Sequence, residues 1–185
     1  MQTLDAIKNC RAVREYTDAP LTRATVERLI AAAVLAPSAM NLQPWAFAAI
    51  LGAERVTELG SRAKEWLLSN FDQTSLEPSL RKLIEPAEYR LFHGAPALVL
   101  VLAKSPDKQA AEDCCLAAHN LMLAARDEGL GTCWIGLSRP WFNLKPVKHE
   151  LGFPEEFQAV APIILGVPKA WPETHGRKPA KVYWG

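Results

Sequence analysis

The sequence predicts an α/β or α+β layer fold in which helices cover a small central sheet. Three observations carry that prediction. Apolar residues recur at helical spacing in several segments. A seven-residue run without polar alternation, ALVLVLA (97–103), reads as a strand buried on both faces. The elements also come in the order helices, strand, helices, strand, helix, strand, short helix, strand, tail. No repeat, low-complexity block or linker interrupts that order, so residues 1–185 are expected to form one domain.

Residues 3–10 form the first expected helix, ending before the basic stretch CRAVR. A second starts at Thr22, a natural N-cap, and its Val26, Leu29, Ile30, Ala33 and Val34 fall on one stripe. Pro37 stops it, because proline disfavours the α conformation at Ala36 and has no N–H to donate. AFAAIL (46–51) follows as a strand punctuated by Gly52. Residues 54–69 read as a helix with Val56, Leu59, Ala63, Trp66 and Leu67 on one side. Residues 77–92 read as another, with Pro78 in the first turn and Pro86 bending or interrupting it. After the strand 97–103 comes helix 110–128, closed by Gly129. TCWIGL (132–137) and FQAVAPIIL (157–165) are the remaining strands, separated by a short helix KPVKHEL that Gly152 closes. Prolines at 168, 172 and 179 keep the last nineteen residues extended. The apolar end of that tail, VYW, suits it to pairing with a sheet edge, its own or a partner's.

A chain of 185 residues is long enough to bury roughly 70% of its unfolded surface. With 22% charged residues and a net charge of +1, it carries no basic stripe for nucleic acid or an anionic membrane. No apolar run reaches the roughly 18 residues that span a bilayer. The N-terminus, MQTLDAIKNCR, has no apolar h-region, so a cytoplasmic protein with reduced thiols is expected. Cys10, Cys114, Cys115 and Cys133 form no CxxC pair, and the four histidines show no ligand spacing, so no metal is expected. No GxSxG, P-loop or GxGxxG occurs, and no Ser/His/Asp or Cys/His set is brought together by spacing. His119, beside Leu116, Met122 and Leu123, reads as a core or interface histidine. Trp45 and Cys133 read as packing residues. Trp141 and Phe142 suit either covering a substrate or packing a loop.

What remains is a set of cations near element ends. Arg11 and Arg14 lie three apart in CRAVREY, and Arg177 and Lys178 lie in the extended tail. Arginine forks suit a phosphate dianion, although a loop arginine is by default solvated.

Four stretches, in order, resemble the FMN-dependent nitroreductase family: CRAVREY (10–16), APSAMNLQPW (36–45), GLGTCWIG (129–136), and GVP (166–168) followed by RKP (177–179). The resemblance implies an α+β fold with a small central mixed sheet flanked by helices and a C-terminal extended tail open to exchange with the partner subunit. It further implies a homodimer with FMN at the interface, each site built from both chains. In that frame Arg11, Ala12 and Arg14 match the segment that contacts the phosphate and the pyrimidine edge of the flavin. Pro37, Ser38 and Asn41 match the segment that reaches the partner's FMN. Trp134, Ile135 and Gly136 match the segment beside the isoalloxazine, and Arg177 and Lys178 match the phosphate-holding tail. Two positions depart from the family pattern: Cys10 stands where it has an arginine and Ala12 where it has a serine, which removes one cationic fork and one hydroxyl.

The activity implied is hydride transfer from NADH or NADPH, through FMN, to a nitroaromatic, a quinone or a similar small planar acceptor by a ping-pong mechanism. No side chain is expected to act as a catalytic residue, since the flavin carries the chemistry. The alternatives are a specialised flavin reductase acting on one metabolite and a flavin-binding protein without turnover.

Overall fold

The buried run 97–103 forms the centre of the sheet. In the computed structural model, which describes residues 2–74, 76–173 and 176–185, it is β2 (Ala97–Ala103), and all seven residues are buried. It lies between β1 (Trp45–Leu51) and β4 (Gln158–Gly166), and β3 (Gly131–Trp134) pairs with the far side of β4. All three ladders are antiparallel. The expected mixed character is confined to a single parallel bridge between Ala12 and Thr132.

Period-two alternation divides β2 between two cores. Ala97, Val99, Val101 and Ala103 join the cluster built by α2 (Arg23–Ala33) and α5 (Lys108–Asp127). Leu98, Leu100 and Leu102 join the opposite cluster, with α3 (Ala53–Ser69) and Trp141 and Phe142 of α6 (Arg139–Phe142). Helices thus cover both faces, which is why the strand carries no polar residue. Each fully buried leucine contributes about 1.5–3 kcal/mol.

The helix starts and stops follow side-chain chemistry. The Thr22 hydroxyl accepts the Thr25 N–H at 3.1 Å, capping α2. The Asp107 carboxylate accepts the Ala110 N–H at 3.2 Å, so α5 begins two residues before its expected start. Short helices α1 (Thr3–Asn9), α4 (Pro78–Ile84) and α7 (Lys145–Leu151) complete the set among the described residues.

Three expectations are corrected. The helix predicted over 77–92 ends at Ile84. Pro86 cannot donate into a helix, and the chain turns instead around Lys64, whose ammonium donates to the carbonyl oxygens of Pro86 (2.6 Å) and Tyr89 (3.0 Å). The strand predicted over 132–137 ends at Trp134, because both the N–H and the hydroxyl of Ser138 donate to the Ile135 carbonyl and wind the chain into a 3₁₀ turn. SRPWFNLKP contains the unpredicted α6, whose Trp141 and Phe142 are buried packing residues, Phe142 stacking on Phe92 with centroids 6.1 Å apart. Residues 176–185 are exposed and form no helix or strand, and residues 174 and 175 of the expected tail lie outside the described residues.

Candidate functional site

The first basic stretch lies along the free side of β3. Ala12 bridges Thr132, and the Val13 N–H donates to the Thr132 carbonyl at 2.9 Å. Farther on, the Thr17 N–H donates to Val167 O at 2.9 Å, and the Lys169 N–H donates to Glu15 O at 3.0 Å. Two glycines make this approach possible. A Cβ on Gly131 would sit 2.7 Å from Val13, and one on Gly166 would sit 2.8 Å from the Tyr16 ring. Segment 11–17 is therefore sewn to the β3–β4 edge by backbone bonds, with Val13 and Tyr16 buried. Burial raises the Tyr16 phenol well above its ordinary value, and its hydroxyl donates to Val13 O at 2.7 Å.

Between the buried Val13 and Tyr16, Arg14 and Glu15 are exposed, and Arg11 precedes them. Arg11 is half-buried; one of its terminal nitrogens donates to Cys10 O at 2.7 Å, and its Nε is buried with no acceptor. Arg14 is exposed and, with Ala12 and Trp171, lines a cavity of about 290 Å³. Burial holds the His93 imidazole below its ordinary value, and the Arg14 charge adds to that effect. Burial raises the Tyr89 phenol, with Arg14 opposing; the Tyr89 and His93 rings meet edge to face at 5.8 Å. The Cys10 thiol is raised by burial and lowered in part by the charges of Arg11 and Arg126, which places Arg126 at this end of α5. Burial likewise raises Cys114, to about 12, and Cys133, so these thiols are not thiolate nucleophiles at neutral pH.

Thr132 links the arginine segment to Trp134, Ile135 and Gly136 at the other end of β3. Trp134 is half-buried and pairs with Ile163. The Ile135 N–H donates to Pro162 O at 2.8 Å and is committed to the sheet. A backbone donor offered to a ligand from this junction therefore comes from the exposed Gly136.

The structure does not bring Pro37, Ser38 and Asn41 to the same place. The Ser38 hydroxyl accepts the Gln43 N–H at 3.0 Å, and Asn41 Oδ1 accepts from Gln43 Nε2 at 2.9 Å. Met40, Asn41 and Gln43 adopt positive φ of 51°, 56° and 48°, a conformation that costs free energy for residues other than glycine. An anchor holds this loop: the Ala39 N–H donates to both carboxylate oxygens of Asp113, at 3.3 and 3.2 Å. Asp113 is buried near the start of α5, thirteen residues before Arg126, or about 20 Å along the helix axis. In one chain, Ser38 and Asn41 thus sit far from Arg11. In the same loop region Leu35 is 80% exposed and Met40 91%, with Leu42 and Val34 also exposed, as are Leu4 and Ile7 of α1 and Leu116 of α5. His119 is exposed on the same helix as Leu116, so it is not a core histidine. Arg177 and Lys178 lie exposed in the tail.

Asp113 belongs to none of the motifs and is not among the residues that sequence reasoning singled out. The signal was its position on the buried stripe of α5, between Ala110 and Ala117. A further cavity of about 390 Å³, lined by Lys64, Tyr89, Arg90 and Phe92, gathers no reactive set, since its lysine is already bonded to two carbonyl oxygens. Among the described residues, no group of three or more His, Cys, Asp or Glu could hold a metal, and no helix is long and apolar enough to cross a membrane.

A profile of the nitroreductase family matches residues 7–167. A protein of Archaeoglobus fulgidus, provisionally named an NADH dehydrogenase/NAD(P)H nitroreductase, is 29% identical over 174 residues, covering 91% of this chain and 86% of the relative. The 5,6-dimethylbenzimidazole synthase of Rhodospirillum rubrum is 32% identical over 184 residues, covering 90% and 82%. A nitroreductase of Bacteroides fragilis NCTC 9343, with FMN bound in its crystal structure, superposes with a TM-score of 0.78 at 28% identity, over 98% of this chain and 95% of that one. The matched region runs from just before the Arg11 segment to the end of β4, and on that extent the chain belongs to the nitroreductase family.

Proposed function

We propose that this chain is an FMN-dependent oxidoreductase that takes hydride from NADH or NADPH and works as a homodimer with a flavin at each of two interface sites. The observation that carries this reading is the Arg11–Arg14 segment fixed alongside β3, with a buried Arg11 Nε that has no acceptor. The residues present fit a flavin mononucleotide. An orphaned guanidinium donor suits a phosphate, a second exposed cation stands three residues on, and no carboxylate pairs with Arg11 among the described contacts. When bound, FMN supplies reversible two-electron chemistry, accepting hydride from the nicotinamide and delivering it to a nitroaromatic, a quinone or a similar planar conjugated acceptor in a ping-pong cycle.

The chain's own residues bind and orient. Arg11, the Ala12 backbone and the tail residues Arg177 and Lys178 hold the phosphate. Arg14 places a fixed positive charge at the pyrimidine edge, where negative charge gathers on reduction, and so favours hydride acceptance. Gly136 offers its N–H at the reacting face, while Trp134 and Ile135 hold that junction against the sheet. Pro37, Ser38 and Asn41 contribute from the second copy, because in their own chain Asp113 holds them about 20 Å along α5 from the Arg126 end. No side chain is assigned as a general acid, and protons come from solvent.

A specialised reductase acting on one metabolite is the second reading, favoured by the 32% identity to a 5,6-dimethylbenzimidazole synthase. Anaerobic stopped-flow mixing of FMN-loaded protein with NADH or NADPH tests both. Bleaching of the flavin, with colour restored by a nitroaromatic or a quinone, is the expected result. A bound flavin that neither donor bleaches overturns the oxidoreductase reading. Bleaching without recovery on any such acceptor favours the specialised one.

A further inference from the structure

Among the described residues, two buried side-chain polar atoms have no hydrogen-bond partner, and both are arginine Nε groups: Arg11 and Arg126. A buried donor without an acceptor is costly, and these two come from different parts of the chain. Arg11 follows α1, whereas Arg126 stands in the last turn of α5. Trp171 brings them to one place: its ring carries the Arg126 guanidinium, and it lines one cavity with Ala12, the neighbour of Arg11.

The surroundings of Arg126 hold it ready rather than neutralised. Its guanidinium carbon lies 3.4 Å from the centroid of the Trp171 ring, close enough to fix the plane of the fork while its edge stays available for bonding. Trp171 also walls the cavity of about 290 Å³ that Ala12 and Arg14 line. The nearby acid Glu128 is engaged by Arg28 at 2.7 Å. Glu15 is the one carboxylate lining that cavity, set against the cations of Arg11, Arg14 and Arg126.

We propose that Arg126 and Arg11 together bind one phosphate dianion, so that α5 supplies a guanidinium where position 10 holds only a thiol. This rests on the flavin reading of the site, in which the dianion is the terminal phosphate of FMN. Two planar forks arriving from different elements satisfy both orphaned donors with one ligand, and they select a phosphorylated flavin over its unphosphorylated parent.

The full-length chain, freed of flavin by dialysis, is titrated separately with FMN and with riboflavin by flavin fluorescence. Arg126→Gln is expected to weaken FMN binding on the order of 10- to 100-fold while leaving riboflavin affinity unchanged. Adding Cys10→Arg to that variant is expected to restore FMN binding. Unchanged FMN affinity in Arg126→Gln overturns the proposal, and so does an equal loss for both flavins, which marks a structural role. A parent chain that binds FMN no better than riboflavin overturns it as well, without touching the flavin reading. A parent chain that binds neither overturns the flavin reading itself, and this proposal with it.

Discussion

Asp113 occupies a face of α5 otherwise filled by alanine, cysteine and leucine, and it is buried there with its carboxylate turned to the 38–43 loop. Burial of a charge on an apolar stripe is tolerated because Ala39 and the Gln109 side chain both donate to it. It offsets the strain of three non-glycine residues at positive φ. Asp113→Ala is therefore expected to cost about 1–3 kcal/mol in urea unfolding and to weaken flavin retention by loosening Ser38 and Asn41. Asp113→Asn keeps one acceptor and recovers part of both. Equal stability in the parent and the alanine variant would show that the loop needs no such anchor. The motif residues themselves were legible, since prolines and paired arginines announce themselves in a string of letters. What holds them in place was not. An aspartate on a helix reads as solvated unless its neighbours three and four positions away are seen to be apolar, and a guanidinium arriving from α5 leaves no trace in local spacing.

Helices α2, α3 and α5 and strands β1, β2 and β4 were legible because their apolar period is strong and glycine or proline marks their ends. The losses came where tertiary contacts override local pattern. Trp141 and Phe142 pass for loop residues because α6 is only four residues long, and the continuation of β3 is cut off by Ser138 rather than by any breaker. A similar long-range bond joins α3 to α7. Arg62 and Arg55 both donate to Glu150, at 2.6–2.8 Å, and hold its carboxyl at about 2, below the ordinary 4.5. A depressed carboxyl stabilises the fold above its unfolded value and loses that contribution as pH falls from about 4.5 toward 2. The groups are substantially solvated, so after screening the clamp contributes about 0.5–1 kcal/mol. Glu150→Gln is expected to melt lower than the parent at neutral pH, with a gap that closes near pH 2 and in high salt. A gap that persists at that pH would assign the loss to packing instead.

At the scale of the whole molecule, the distance between the two halves of the proposed site becomes an argument about assembly. Arg11 lies at the Arg126 end of α5 and Ser38 at the Asp113 end, about 20 Å apart along the helix. No side chain spans that gap. Leu35, Met40, Leu42, Leu4 and Ile7 are exposed, a set of apolar side chains that a second copy would cover. In a two-fold dimer the same surface serves both partners, so the 38–43 loop of one chain can complete the arginine segment of the other. This predicts complementation. Arg14→Ala and Asn41→Ala chains each bind FMN weakly as separate homodimers. Unfolded together and refolded as a mixture, half the dimers are mixed, and each mixed dimer carries one site with both defects and one intact. About one quarter of all sites should then regain parental affinity, measured as tightly retained flavin after gel filtration. No gain on mixing would mean that both residues serve a site within one chain, or that Asn41 serves none.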